Sequence, residues 1–123
     1  MTADVIALCR RQPDLPVLLA ALLAAGPDLR TSPHPSGTVL YLLDERDRPL
    51  LAVEGPLLVQ APGEVRRLLG PEVPVEEPVW WVETRAASSR SEAAVPIAYR
   101  FAQALASQLD GTVWPAPTPA GAT

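Results

Sequence analysis

The sequence predicts an α+β protein, specifically a ferredoxin-like two-layer sandwich: a mostly antiparallel sheet with its helices on one face. Three observations carry that prediction. Two long segments place apolar residues at helical spacing, one from Leu15 and one from Val95. Short apolar runs with strand character surround them, each closed by glycine, proline or a charged turn. The resulting order, β-α-β-β-(β)-(short α)-β-α-β, holds two β-α-β halves around a hairpin.

Each element has a local reason. Residues 4–9 form a short apolar strand that ends at Arg10 and Arg11. Asp14 offers an N-cap, and Pro16 sits in the first turn, where a missing N–H costs little. Leu15, Leu18, Leu19, Leu22 and Leu23 follow at helical spacing until Gly26 and Pro27. The other side of this helix is apolar too, with Val17, Ala20, Ala21, Ala24 and Ala25, so it is expected deep in the core, in preference to the alternative of a partner interface. Residues 28–36 read as a proline-bearing loop. Residues 38–44 and 49–53 make a hairpin around the charged turn at Glu45, Arg46, Asp47 and Arg48. Gly55 and Pro56 break the chain before a third extended piece at Leu57, Leu58 and Val59. A brief helix spans 64–69, and residues 72–78, rich in proline and glutamate, read as an extended acidic connector. A strand spans 79–86. Ser88, Ser89, Arg90 and Ser91 then lead into the last helix, whose regular part begins near Val95 because proline is tolerated only in a first turn. Ala98, Phe101, Ala102, Leu105 and Leu109 share one face of it, opposite Arg100, Gln103 and Ser107. Thr112, Val113 and Trp114 form a final short strand. The expected organisation is one domain over 1–114 and a disordered Pro/Ala-rich tail or linker over 115–123.

Composition narrows the function classes. The 123 residues include 48% apolar and 20% charged side chains and carry a net charge of −4, enough for one core without disulfides or metal. Arg10 with Arg11 and Arg66 with Arg67 are isolated pairs among carboxylates, so nucleic-acid binding is disfavoured: it needs clustered positive charge. The longest apolar run, residues 17–25, is far short of the ~20 residues that span a bilayer, and no membrane insertion is expected. A single cysteine, Cys9, rules out an internal disulfide, and cytoplasmic residence is the expectation. Fifteen prolines and a complete lack of lysine point to a high-GC genome.

The most informative segment holds Trp80 and Trp81. Alternation along a strand sends them to opposite faces. Trp80, Val82, Thr84 and Ala86 are compact and suit the helix-covered side. Val79, Trp81, Glu83 and Arg85 combine an indole with an ion pair, the composition of interface hot spots. The hairpin is not cleanly polar on either side: Leu40 and Leu42 lie on one, Val39, Tyr41 and Leu43 on the other. The second sheet face is therefore expected to be buried, either against a copy of the chain or beneath its own residues 57–69, with homodimer formation preferred slightly. The candidate interface residues are Trp81, Glu83, Arg85, Val79 and Tyr41.

No motif names a reaction. His34, the only histidine, lies between prolines with no nucleophile or orienting carboxylate placed for it by sequence. Cys9 sits in an apolar strand and reads as a small buried hydrophobe. One His and one Cys do not make a metal site, no cofactor motif is present, and no catalytic residue is assigned.

Residues 4–8, 26–29, 48–64, 79–86 and 111–115 together resemble an uncharacterised actinobacterial family met near type VII secretion genes. The resemblance covers most of residues 4–115. It brings no activity; it implies an accessory or chaperone-like component. An exported substrate is not implied, because the chain has no Trp-x-Gly turn and Tyr99 is followed four residues later by Gln103 rather than an acid. Members of that family are longer, so a further domain is expected beyond the tail. The leading reading is a non-enzymatic, self-associating interaction module. Its rivals are an immunity-type inhibitor presenting Glu72, Glu76 and Glu77 to a basic toxin, and a small-ligand enzyme with a pocket beside Trp81.

Overall fold

Six strands form one open antiparallel sheet, and three helices pack on it. The computed structural model describes residues 2–116; residues 117–123 of the expected tail lie outside the described residues. In chain order the elements are β1 (Ala3–Cys9), α1 (Leu15–Ala25), β2 (Arg30–Pro33), β3 (Val39–Leu43), β4 (Pro49–Val59), α2 (Glu64–Leu69), β5 (Val79–Ala86), α3 (Ala94–Gln108) and β6 (Gly111–Trp114). Across the sheet they run β2-β3-β4-β5-β1-β6, so the first strand lies between the last two and α1 carries the chain from there to the far edge.

The two long helices cover one face. Asp14 caps α1 by accepting from the Val17 N–H at 3.0 Å, with Pro16 in the first turn as expected. At the other end the Arg100 guanidinium donates to the Ala25 carbonyl, satisfying a group the helix leaves unpaired. In α3, Ala94, Ile97, Ala98, Phe101, Ala102 and Leu105 are buried, the i, i+3, i+4 pattern of a single stripe. They meet Val5, Ala7 and Cys9 of β1, Leu51 and Val53 of β4, and Val82 and Ala86 of β5, with Trp80 packed beside them.

Two expectations about the helices are overturned. Helix α1 is not covered on both sides: Leu15 is 55% exposed, Leu23 is 51% exposed, and Ala20 and Ala24 also face solvent. A two-layer fold has nothing to place outside its outer layer. Nor do the helices keep to one face. Strand alternation turns Ile6 and Leu8 away from α1 and α3, and these residues join a second cluster with Val59, Val65, Val73, Val75 and Val79. Val65 belongs to α2, and Val73 and Val75 to the connector, so this segment forms a small third layer over one end of the sheet.

Two strands differ from the sequence reading. Arg30–Pro33, expected as loop, is the edge strand β2 paired with β3. Gly55 and Pro56 do not end a strand; they form an irregularity inside the 11-residue β4, which pairs with β5 on both sides of it. Gly55 has φ +103°, and a Cβ there would stand 2.8 Å from the Trp81 carbonyl oxygen, so only glycine fits.

Candidate docking face

The second sheet face is divided. Over its β1–β6 end, Val65, Val73 and Val75 seal Ile6, Leu8 and Val79, with Trp81, Trp114 and Leu69 packed at the rim. The connector is held by Glu77, whose carboxylate accepts from the Gly63 N–H at 3.0 Å and the Val65 N–H at 2.8 Å. These two bonds bring the end of the connector back to the start of α2. The Val65 N–H, followed by the Glu77 and Gly63 N–H groups, holds the Glu77 carboxyl below its usual range. Glu77 is thus committed to the fold and does not stand as a free acidic contact with Glu72 and Glu76.

Toward β4 this layer stops. Register places Arg85 between Asp4 and Ala52, Glu83 between Ile6 and Glu54, and Trp81 between Leu8 and Leu57. Glu54, Gly55, Leu57, Trp81 and Glu83 line a cleft of about 210 Å³. Leu57 is 64% exposed, on the part of β4 that lies beyond the reach of β3. The Trp81 indole is half-buried and donates from Nε1 to Glu83 Oε1 at 3.3 Å. Arg85 is the guanidinium in this patch, 3.5 Å from Asp4, 3.9 Å from Glu54 and 3.9 Å from Glu83.

The five residues expected at an interface therefore separate. Trp81, Glu83 and Arg85 are brought together on the open part of the face. Tyr41 lies across β4, its register partner Ala52 being that of Arg85, and it is half-buried with His34 edge-on to its ring at 5.9 Å. Val79, 1% exposed, is core of the second cluster and presents nothing to a partner. Sequence reasoning missed Leu57, Glu54 and Asp4. Their grouping depends on strand register and on the irregularity in β4, neither of which composition reveals.

The groups with chemical potential lie elsewhere. Burial pushes the Cys9 thiol up to about 11, which keeps it protonated near neutrality and poorly nucleophilic. His34 is tied into its own exposed turn, where the Ser36 N–H donates to Nδ1 at 3.0 Å and the Ser36 hydroxyl lies 2.9 Å from it. Among the described residues no group of three or more His, Cys, Asp or Glu could hold a metal ion, and no helix is long and apolar enough to cross a membrane.

Fold and site together define an α+β protein with an open six-stranded antiparallel sheet, partly covered on its second face. Comparisons of the chain with protein-family models, curated proteins and solved structures return no match.

Proposed function

We propose that this chain is a non-enzymatic protein-interaction or accessory module that docks another protein on the open part of its second sheet face. The observation that supports this most directly is Leu57, exposed beside Trp81 on the stretch of β4 that β3 leaves unpaired and where the third layer stops short. A large apolar side chain kept in water next to a half-buried indole has the make-up of an interface core. The finer architecture belongs to the same reading: we read the order β6-β1-β5-β4 as a ferredoxin-like core, extended at its edge by β3 and β2. Association with type VII secretion is part of the proposal through sequence resemblance alone.

Charge bears on whether the partner is a second copy. Asp4, Glu54 and Glu83 surround one guanidinium, so the patch carries an excess of two negative charges. A two-fold contact through this face would set that excess against itself, which disfavours self-association here. The immunity-type reading gains from the same patch, with Asp4, Glu54 and Glu83 in place of the committed Glu77.

Site-specific photo-crosslinking in the source cells tests the proposal, with a photoreactive residue at position 57 and a control at Leu23 on α1. A discrete adduct with a different protein from position 57, absent from the control, is the expected result. An adduct made of two copies of this chain would overturn the heterologous reading. Failure to crosslink at 57 would overturn the docking face.

A further inference from the structure

The chemistry around the cleft specifies its occupant. Glu54 and Glu83 are direct register partners on β4 and β5, so two carboxylates face each other across adjacent strands. Like charges in that position work against the sheet, and sequences place opposite charges or neutral residues there when stability is the only demand. Arg85 offsets the repulsion incompletely: it stands 3.9 Å from each and is nearer to Asp4, at 3.5 Å. Both carboxylates line the same cleft as Leu57 and Trp81. Glu83 turns one oxygen to the indole N–H, while the Glu54 side chain is about half exposed. Strand β5 is paired on both edges here, whereas β3 reaches β4 only as far as Glu54, so residues 57–59 leave a free strand edge beside the cleft along which an incoming segment can lie.

We infer that the cleft takes a segment of a basic partner protein, with an apolar side chain seated between Leu57 and Trp81 and a cationic one between Glu54 and Glu83. The inference rests on the docking-face reading above and adds the partner's chemistry. The cationic group completes the charge balance that Arg85 leaves open, and the indole beside it contributes an attraction for cations. The apolar neighbour covers Leu57. Both features lie within one cleft of about 210 Å³, the scale of two or three side chains rather than of a folded domain.

The test uses the full chain labelled with ¹⁵N and the peptide acetyl-Leu-Arg-Leu-amide. Its control replaces arginine with citrulline, which keeps the shape and removes the charge. The indole N–H resonance of Trp81, assigned by its loss in Trp81→Phe, reports occupancy. The arginine peptide is expected to shift that resonance saturably, and the citrulline peptide to bind roughly five-fold more weakly or worse. Glu54→Gln is expected to weaken the arginine peptide by a similar factor while leaving the melting temperature equal or higher, because it removes a like-charge pair. That opposition separates a binding role from a structural one. Equal affinity for the two peptides, no saturable shift, or a Glu54→Gln variant that binds as well as the parent would each overturn the cationic occupant. If position 57 still crosslinks to another protein in that event, the docking face stands and only the basic character of its partner is lost.

Discussion

Truncating Val65 to alanine measures how firmly the third layer is seated. Val65 is the buried residue of α2 and is fully enclosed by the second cluster. The change deletes two methyl groups, about 1.6 kcal/mol at ~0.8 kcal/mol each. The void left is at most roughly 50 Å³, which adds up to ~1 kcal/mol at about 24 cal/mol per Å³. Because Arg66, Arg67 and Leu68 face solvent, α2 is free to settle inward and close part of that void. The expected loss is about 2 kcal/mol, a factor of roughly 30 in the equilibrium between closed and open layer. Native-state hydrogen exchange locates it. The Gly70 N–H, bonded to the Arg66 carbonyl, and the Arg67 N–H, bonded to the Gly63 carbonyl, lose protection by that factor if the layer opens on its own. Amides of α3, packed on the other side of the sheet, change only if the whole domain is destabilised. A loss below about 0.5 kcal/mol, within the range of an ordinary surface substitution, would refute the claim that Val65 anchors the layer.

Three further outcomes are expected of the same fold. Thr84 is buried with a hydroxyl that has no hydrogen-bond partner, so Thr84→Val is expected to stabilise the domain by about 1 kcal/mol in urea unfolding; a destabilised variant would show that the hydroxyl is in fact satisfied. Glu77 has a depressed carboxyl pKa in the fold, so its contribution is complete above the unfolded carboxylate range and is lost as pH falls through the folded value. Acidification in that window should therefore weaken protection of α2 in the parent and leave Glu77→Gln flat, and matching pH profiles would count against the cap. Cys9 should stay unlabelled by a thiol reagent at pH 8 until denaturant unfolds the chain, and rapid labelling of the native protein would contradict its burial.

Much of the architecture was legible, because it rests on local signals. Asp14 with Pro16 marked the start of α1, and one apolar stripe marked α3. Simple alternation placed Trp80 with the helix-side core and Trp81 with the opposite face. The misses are physical in origin. Arg30–Pro33 lacks an apolar face because an edge strand needs little burial and tolerates proline. The connector looked solvated through its glutamates and prolines, yet Val73 and Val75 sit two apart and are both buried. That spacing was the available sign that the second face is covered in part by its own chain. The exposed side of α1 was unreadable, since uniform apolarity does not distinguish a helix in the centre from one in an outer layer. Of the site, Trp81, Glu83 and Arg85 were legible along one strand. Asp4, Glu54 and Leu57 come from neighbouring strands and required register.

The irregularity in β4 acts as a one-residue frame shift within the strand. From Glu83 to Trp81 the partner strand advances two residues, whereas β4 advances three, from Glu54 to Leu57. The odd–even rule that governs Ala52 and Glu54 is therefore inverted for Leu57 and Val59, which is how a leucine comes to share a cleft with Glu54 and a valine reaches the second cluster. Deleting Pro56 would restore the regular count. Leu57 would then follow Gly55 directly and, with Val59, keep its place on the face of Glu54, while Leu58 would stay on the opposite face. The cleft and the seat of the third layer thus depend on the surplus residue being absorbed at Gly55 and Pro56; a one-residue insertion or deletion in the regular part of β4, between Leu51 and Glu54, would reverse the faces on one side of it.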